Sequence, residues 1–330
     1  FGGPRSRAME FLLKKHKHYL KHLEDDKASY EYFYTEHIRM GGCFWLITAM
    51  DLVGMLPLPE DEHRSIVEWI LSCQHENGGF GSNTNHDPSM TSTHYAVLVL
   101  AELGELDKLN VDGVVSYIKS LQNVDGSFNG DEWGDVDARF VYCAMSSLTI
   151  LDRMGEVDVR AATRWVLRCV NYDSGFGNFP GMESHGAYTF CTVAALALMD
   201  GLGHVDCDGL AFWLAERQIP GGGFNGRPEK APDVCYSWWI LSALSILDRV
   251  SWIDGAQLAQ FILSAQDTDD GGIADRPGDI PDVFHTFFGI CGLSLLKAAP
   301  ELKAVHPVYA LSVEACERLG LPSLGFSSSC

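Results

Sequence analysis

The sequence lacks the features that mark disulfide-rich and membrane-spanning proteins. Its 10 cysteines include no Cys-x-x-Cys pair, and scattered cysteines in a chain of this length favour reduced thiols over a disulfide scaffold. The longest charge-free stretches, residues 184–199 and 283–296, are shorter than the roughly 20 residues needed to cross a bilayer. We therefore expect a cytoplasmic protein without a membrane span.

Positive charge is also scarce. The chain has 24 basic and 44 acidic residues, which gives a formal net charge of −20. A sequence-independent nucleic-acid binder needs a basic face, so this class is excluded. A hydrophobic content of 46% excludes intrinsic disorder. Glycine, in contrast, is abundant, with 33 residues.

Many of these glycines belong to an internal repeat. A glutamine-to-glycine turn recurs every 48 residues, with one extra residue in its last copy. Its copies are Gln74…Gly78-Gly79-Phe80, Gln122…Gly126-Ser127-Phe128, Asp173-Ser174-Gly175-Phe176, which lacks the glutamine, Gln218…Gly222-Gly223-Phe224 and Gln266…Gly271-Gly272-Ile273. Each unit contains one segment that is apolar all round, such as residues 188–199, and one amphipathic segment, such as residues 161–169. This pattern predicts an inner and an outer helix in each unit.

The repeat predicts an all-α fold of six helical hairpins. Six hairpins can form an open solenoid or a closed ring, and inner helices this apolar favour closure. We therefore expect an α/α toroid, an α6–α6 barrel, over residues 41–322, with an N-terminal helical extension at 1–40 and a tail at 323–330. The inner helices are expected to begin near Gly42, Met90, Ala138, Gly186, Val234 and Asp282.

Three residues depart from the repeat at positions that should meet. Asp233 and Cys235 open one inner helix, and His285 follows Cys235 by one period plus two residues. Taken singly, they are a helix N-cap, a small buried hydrophobe and a core histidine. Together they are zinc ligand types, and three protein ligands with an open fourth position is the catalytic pattern.

Hydrogen-bond donors are predicted to lie near these three residues, at the rim of the ring where the inner helices begin. Such donors beside a helix N-terminus suit an anionic group such as diphosphate. The residues are Arg139, His185, Arg227, Lys230 and Tyr236. The alternative is that Arg227 and Lys230 are solvated loop charges paired with Glu229.

The inner segments are also rich in aromatic residues. An aromatic cavity would hold a long apolar ligand, although ordinary core packing explains most of these positions one by one. They are Phe44, Trp45, Phe140, Tyr188, Trp238, Trp239, Phe284, Phe287 and Phe288.

One acidic motif suggests a different enzyme class. Asp267-Thr-Asp-Asp270 matches the Asp-x-Asp-Asp motif of terpene cyclases, which also use helical toroids. It lies, however, in the glutamine-to-glycine turn, where Asp and Asn side chains commonly cap the backbone. We interpret it as turn chemistry.

Three stretches resemble the β subunits of the protein prenyltransferases, most closely the type II, or Rab, geranylgeranyltransferases. They are Glu183-Ser-His-Gly186, Gly226-Arg-Pro-Glu-Lys-Ala-Pro-Asp-Val-Cys-Tyr-Ser-Trp-Trp239 and Ala274-Asp-Arg-Pro-Gly-Asp279, which leads to Asp282-Val-Phe-His285. The resemblance implies zinc on Asp233, Cys235 and His285. It also implies a diphosphate site built from the five donor residues above.

The resemblance extends to substrates and partners. It implies an obligate α subunit, geranylgeranyl diphosphate as lipid donor, and a Rab GTPase presented by an escort protein. The expected reaction forms a thioether on C-terminal cysteines of Rab-type GTPases.

Subtype depends on a few positions. Gly41 matches a position where farnesyl-transferring relatives carry Trp, and Asp275 matches an acidic residue tied to Mg²⁺. The expected lipid pocket comprises Gly41, Trp45, Phe140, Tyr188, Trp238, Trp239 and Phe284. Gly186-Ala-Tyr-Thr-Phe190 reads more like the farnesyl and type I enzymes, which act on CaaX proteins, so these stay as alternatives. A terpene cyclase using Asp269 or Asp270, or a non-catalytic toroid scaffold, are alternatives of another class.

Overall fold

A computed structural model of the chain describes residues 9–25 and 34–322. The predicted tail, 323–330, and parts of the predicted extension lie outside the described residues. In chain order, the α-helices of the described part are α1 (Leu13–Asp25), α2 (Arg39–Leu52), α3 (Glu60–Ser72), α4 (Met90–Leu103), α5 (Val111–Ser120), α6 (Ala138–Ile150), α7 (Val159–Leu167), α8 (Gly186–Leu198), α9 (Cys207–Ala215), α10 (Tyr236–Ile246), α11 (Gly255–Ser264), α12 (Val283–Leu295) and α13 (Val313–Arg318).

The remaining regular structure is short. Single 3₁₀ turns occur at Glu36–Ile38, Leu106–Lys108, Met154–Glu156, Leu202–His204 and Val250–Trp252. Two antiparallel strands, β1 (Phe80–Gly81) and β2 (Pro88–Ser89), pair Phe80 with Ser89. No helix in the described part is long and apolar enough to span a membrane.

Six helices form a closed inner ring. α2, α4, α6, α8, α10 and α12 each pack against the next, and α12 packs against α2. Each is therefore enclosed by two neighbours and by the outer layer, which explains why its sequence is apolar nearly all round. The predicted closed toroid is confirmed, and the inner helices begin within three residues of the predicted positions.

In two of the turns, the repeated glutamine ties the turn to the next outer helix. Gln122 bonds the backbone N–H and C=O of Asp158 at 2.8 and 3.0 Å, and Gln218 does the same with Asp254. Asp158 and Asp254 in turn cap the outer helices α7 and α11. This double contact fixes the register between successive hairpins.

The last glutamine shows how the outer ring closes. Gln266 accepts from the N–H of Leu12 at 3.3 Å and donates to the carbonyl of Glu10 at 2.8 Å. These residues directly precede α1, so α1 takes the place of the sixth outer helix. The helix predicted as an extension is thus part of the ring. In addition, α2 begins at Arg39, so it crosses the boundary expected between residues 40 and 41.

A glycine is required where the turn at residues 122–128 meets its neighbouring outer helix. Gly126 has φ +94°, and a Cβ there would lie 2.1 Å from the carbonyl carbon of Ala161. Only glycine tolerates both the backbone conformation and the close approach.

The C-terminal segment closes the end of the barrel opposite the rim. Lys303 bonds the carbonyl of Leu52 through its N–H and the carboxylate of Asp51 through Nζ, both at 2.9 Å. The hydroxyl of Tyr142 donates to the carbonyl of Val308 at 2.6 Å, and Ser312 donates to Glu102 at 2.6 Å. Because Asp51 and Glu102 lie at the C-terminal ends of α2 and α4, the opposite rim carries the N-terminal ends of the inner helices.

Candidate functional site

The three candidate metal ligands meet at the rim between α10 and α12. Cys235 precedes the first residue of α10, Asp233 lies in the loop before it, and His285 lies in the first turn of α12. One ligand atom from each residue lies within 4.8 Å of the others. This set can hold a metal ion.

The charges of this triad favour a bound cation. The Nε2 of His285 lies 3.3 Å from Oδ1 of Asp233, and the same oxygen accepts from the N–H of Cys235 at 2.8 Å. Burial and the nearby Asp233 carboxylate raise the pKa of the Cys235 thiol. A thiolate at this position therefore needs a positive charge beside it, which a metal ion provides.

His285 is oriented by a residue whose role the sequence analysis missed. Its Nδ1 lies 2.6 Å from Oδ2 of Asp282, and its backbone N–H donates to Oδ1 of Asp282 at 2.8 Å. Burial alone would lower the pKa of His285, but hydrogen bonds to Asp233 and Asp282 raise it to about 9. A carboxylate on one imidazole nitrogen leaves the other for a metal. The N-cap position of Asp282, three residues before the histidine, was the signal available.

A cavity of about 320 Å³ adjoins the triad and shares Asp233 with it. Four of the five predicted diphosphate residues line this cavity, together with Arg276, which the sequence analysis did not select. The lining residues are His185, Gly226, Arg227, Lys230, Ala231, Pro232, Asp233, Tyr236 and Arg276.

His185 and Tyr236 form a neutral pair on one wall of the cavity. The Tyr236 hydroxyl lies 3.3 Å from Nε2 of His185, while Nδ1 of His185 accepts from the N–H of Ala187 at 3.2 Å. Burial and the nearby Arg227 lower the pKa of His185. A Cβ on Gly226 would lie 2.2 Å from the Tyr236 hydroxyl, so glycine there is what admits the phenol. This wall offers hydrogen bonds rather than charge.

Arg139 does not line the cavity. Its Nε and Nη2 bond the two carboxylate oxygens of Asp137 at 2.9 and 3.1 Å. Its guanidinium also lies 5.8 Å from the ring centroid of Tyr188, which in turn lies 5.2 Å from the ring of His185. Arg139 is thus joined to the cavity through Tyr188.

Asp275 and Arg276 bind each other beside the metal ligands. Oδ2 of Asp275 accepts from Nε of Arg276 at 2.8 Å and also from Nη2. Oδ1 of Asp275 is buried without a hydrogen-bond partner among the described residues. The backbone carbonyl of Asp275 accepts from the N–H of Val234 at 2.8 Å, so this loop is tied to the segment that carries Asp233 and Cys235.

A chain of aromatic contacts runs along the inside of the ring. Trp45 contacts Phe284 with ring centroids 5.0 Å apart, and Phe284 contacts Phe288 at 4.7 Å. Phe288 and Trp239 follow at 4.5 Å, then Trp239 and Phe190 at 5.3 Å. The sequence analysis had not selected Phe190, which faces this interior from α8.

The predicted lipid-pocket residues separate into two groups. Tyr188, Trp239 and Phe284 are half-buried and so retain surface for a ligand. Trp45, Phe140 and Trp238 are only 9%, 7% and 1% exposed, so they offer little surface to a ligand in this structure, and their contact with the lipid stays a prediction.

The space beside Gly41 is already filled. A Cβ on Gly41 would lie 3.1 Å from Cε2 of Tyr95 and 3.5 Å from Trp45. Tyr95, which the sequence analysis did not select, is therefore the side chain that occupies the volume released by glycine.

The acidic motif at residues 267–270 is a turn, as predicted. Oδ1 of Asp267 accepts from the N–H groups of Asp269 and Asp270 at 2.7 and 2.9 Å. This side chain caps its own loop.

Relatives of known family match this chain along nearly all its length. Residues 11–311 match the prenyltransferase α–α toroid domain. A probable geranylgeranyl transferase type-2 subunit β of Dictyostelium discoideum is 68% identical over 94% of this chain and 91% of its own. A geranylgeranyl transferase type-2 subunit β of Arabidopsis thaliana is 47% identical over 95% and 97%.

Solved structures agree on the fold. The protein geranylgeranyltransferase-I of Candida albicans superposes with a TM-score of 0.86 at 20% identity, covering 94% of this chain and 98% of its own. A type II terpene cyclase from Scytonema shares the fold more distantly, with a TM-score of 0.57 at 14% identity over 81% and 88%. At these identities the likeness concerns the fold, whereas the sequence relatives identify the family. The chain belongs to the prenyltransferase α–α toroid family and, within it, to the β subunits of type-2 geranylgeranyl transferases.

Proposed function

We propose that this chain is the catalytic β subunit of a zinc-dependent protein geranylgeranyltransferase of type II. It transfers the geranylgeranyl group from geranylgeranyl diphosphate to C-terminal cysteines of Rab-type GTPases. The observation that carries the proposal is the direct contact of two sites through one residue. Asp233 belongs both to the candidate metal triad and to the cavity lined by Arg227 and Lys230.

The triad fits zinc by the chemistry of its donors. Carboxylate, thiolate and imidazole together suit Zn²⁺, and three protein ligands leave a position for a substrate. When bound by Asp233, Cys235 and His285, Zn²⁺ would stabilise the substrate cysteine as a thiolate. The contribution of the chain is to hold these three groups in place, with Asp282 fixing the ring of His285.

The cavity residues would act on the leaving group. In the transfer, a bond forms between the cysteine sulfur and C1 of the lipid, and the bond from C1 to the diphosphate oxygen breaks. Negative charge then grows on the diphosphate. Arg227 and Lys230 supply positive charge there, and His185 and Tyr236 supply hydrogen bonds. Donors fixed before the reaction stabilise such charge without rearrangement.

The lipid would lie against the aromatic interior. The half-buried rings of Tyr188, Trp239 and Phe284 offer apolar surface that begins next to the cavity, since Tyr188 contacts His185. An isoprenoid chain buried there gains hydrophobic stabilisation of roughly 25 cal/mol per Å².

Mg²⁺ fits this chain only in part. Asp275 offers one buried unpartnered oxygen, while its second oxygen is bound by Arg276. Because Mg²⁺ is usually held by one or two carboxylates together with substrate phosphates, Mg²⁺ at Asp275 would depend on bound diphosphate.

The partners follow from the family. The chain would work as a heterodimer with a prenyltransferase α subunit, on a Rab GTPase presented by an escort protein. We place this assembly in the cytoplasm, since the scattered cysteines of the sequence include no Cys-x-x-Cys pair, as expected for a chain of this length in a reducing compartment.

The test is a transfer assay with the co-expressed α subunit. We expect transfer of geranylgeranyl in preference to farnesyl, to a Rab GTPase only when the escort protein is present. Transfer to a CaaX peptide without the escort would instead indicate a type I or farnesyl enzyme. A preparation that contains no zinc and transfers no lipid would favour a scaffold.

A further inference from the structure

We propose that Arg276 is a further diphosphate-binding residue and that Asp275 is its positioning residue. This inference rests on the proposed function, which it deepens at the same cavity. Arg276 lines that cavity together with Arg227 and Lys230, and its side chain is 51% exposed. It therefore combines a full positive charge with access to a ligand.

The contact with Asp275 leaves most of the guanidinium free. An arginine carries five N–H donors, and Asp275 Oδ2 accepts one from Nε and one from Nη2. Three donors remain for a ligand. Both bonds hold the Nε/Nη2 edge of the guanidinium against Asp275, which leaves Nη1 and the second N–H of Nη2 for the forked recognition of phosphate oxygens.

A diphosphate in this cavity needs more positive charge than Arg227 and Lys230 supply. Each phosphate group of a diphosphate carries negative charge, and Asp233 adds a carboxylate to the same wall. His185 contributes hydrogen bonds rather than charge, because burial and Arg227 lower its pKa. Arg227 is itself paired with Glu183. Arg276 therefore joins Lys230 and Arg227 as the third cation that faces the ligand.

The position of the loop couples this residue to the metal ligands. The carbonyl of Asp275 bonds the N–H of Val234 at 2.8 Å, and Val234 stands between Asp233 and Cys235. This backbone contact holds Arg276 at a fixed distance from the metal triad. A diphosphate bound by Arg276 is therefore held beside the sulfur that replaces it.

The same pair limits the need for Mg²⁺. Arg276 binds one of the two carboxylate oxygens of Asp275, which leaves only the buried Oδ1 for a magnesium ion. The arginine thus supplies resident positive charge at the position where the family resemblance implied a metal. We expect diphosphate binding to persist in Mg²⁺-free buffer.

The experiment uses the purified α–β heterodimer and compares Arg276→Gln, Arg276→Lys and Asp275→Asn with a matched control, Arg168→Gln. Arg168 is 55% exposed and paired with Asp125, much as Arg276 is with Asp275, but it does not line the cavity. Dissociation constants are measured for geranylgeranyl diphosphate and inorganic diphosphate, with and without Mg²⁺. Zinc content is measured on every variant.

We expect Arg276→Gln to weaken both probes at least about tenfold in Mg²⁺-free buffer, with zinc content and the Arg168→Gln control unchanged. Arg276→Lys should recover part of the loss, because charge returns without the fork. Wild-type affinity in Arg276→Gln would overturn the proposal. If Arg276→Gln loses zinc, the test rests on Arg276→Lys instead. That variant must then bind both diphosphate probes more weakly than the wild type, or the proposal fails.

The role of Asp275 is tested separately. Asp275→Asn should weaken both probes several-fold without Mg²⁺, and the double variant should bind no more weakly than Arg276→Gln alone, because Asp275 acts through Arg276. A loss seen only with Mg²⁺, or tighter binding without it, would overturn the positioning role. Arg227→Ala distinguishes failure of this inference from failure of the proposed function. If Arg227→Ala leaves the affinity for both probes unchanged, the cavity is not the diphosphate site and the proposed function itself fails.

Discussion

The imidazole of His285 lies between two carboxylates, with Nδ1 2.6 Å from Asp282 and Nε2 3.3 Å from Asp233. Only Asp233 belongs to the candidate metal triad. Asp282 therefore has a supporting role: it caps α12 and fixes the ring so that Nε2 points toward the other ligands.

Replacing Asp282 should weaken metal binding without removing a ligand. We expect Asp282→Asn, which keeps the helix cap, to lower zinc affinity about 10-fold, and Asp282→Ala to lower it up to about 100-fold. Competition with a zinc chelator measures both values. Asp254→Asn, at the equivalent cap of the outer helix α11, is the control and should leave zinc affinity unaltered. Equal affinities in all four proteins would contradict the role of Asp282.

Replacing a direct ligand should remove metal and activity together. Cys235→Ser and His285→Ala each take one of three protein ligands away, so we expect zinc content to fall toward zero and transfer to fall at least about 100-fold. Cys291→Ser provides the control, since this buried cysteine of α12 lies outside the triad. Full transfer activity in a zinc-free Cys235→Ser protein would show that the triad is not the reaction centre.

The fold could be predicted from sequence because a repeat multiplies weak signals. A single Gln or Gly means little, but five turns 48 residues apart predicted six hairpins. The same period predicted the meeting of Cys235 and His285, since one period plus two residues brings them to adjacent inner-helix starts. Asp233 followed from the same register.

Other contacts lie outside what a period can predict. The role of α1 depends on Gln266 reaching Glu10 and Leu12, residues that precede the first repeat. Arg276 lies in a loop, where its direction is set by two hydrogen bonds to one oxygen of Asp275 rather than by helix geometry. Tyr95 fills the space beside Gly41 because of a choice of side chain on the neighbouring helix, which the glycine alone does not reveal.

A bulky side chain at Gly41 should change the lipid preference by displacing Tyr95. A Cβ there already lies 3.1 Å from the Tyr95 ring, so Gly41→Trp must move that ring into the interior and shorten the space for a lipid. We expect a shift from geranylgeranyl toward farnesyl diphosphate in competition assays, with a stability loss of about 1–3 kcal/mol from overpacking.

The next residue along α2 supplies the control for this change. A Cβ on Gly42 meets nothing within 4 Å, so Gly42→Trp adds the same indole to the same helix in open space. It should retain the original lipid preference. If Gly41→Trp retains it as well, Gly41 and Tyr95 do not set the length of the lipid.

The C-terminal segment that closes the barrel should make the stability of the protein depend on acid pH through His306. This side chain is 2% exposed; its Nδ1 accepts from the N–H of Val308 and its Nε2 lies 3.2 Å from the carbonyl of Pro322. A proton on Nδ1 would face the Val308 donor. Burial lowers the pKa of His306 from 6.5 to about 4, although the bond to Pro322 opposes the shift.

Because the unfolded chain binds this proton more readily than the folded one, the stabilising effect is complete above pH 6.5 and is lost as the pH falls toward 4. The loss is about 3 kcal/mol at most. His306→Gln keeps a donor and an acceptor but does not titrate. Between pH 6.5 and 4.5, its free energy of unfolding in urea should fall about 2 kcal/mol less than that of the wild type. His204→Gln, at an exposed position, should keep the wild-type slope. If the free energy of unfolding of His306→Gln has the same pH dependence as that of the wild type, protonation of His306 does not destabilise the C-terminal segment. The acid sensitivity must then come from the carboxylates that tie Lys303 and Ser312 to the inner helices.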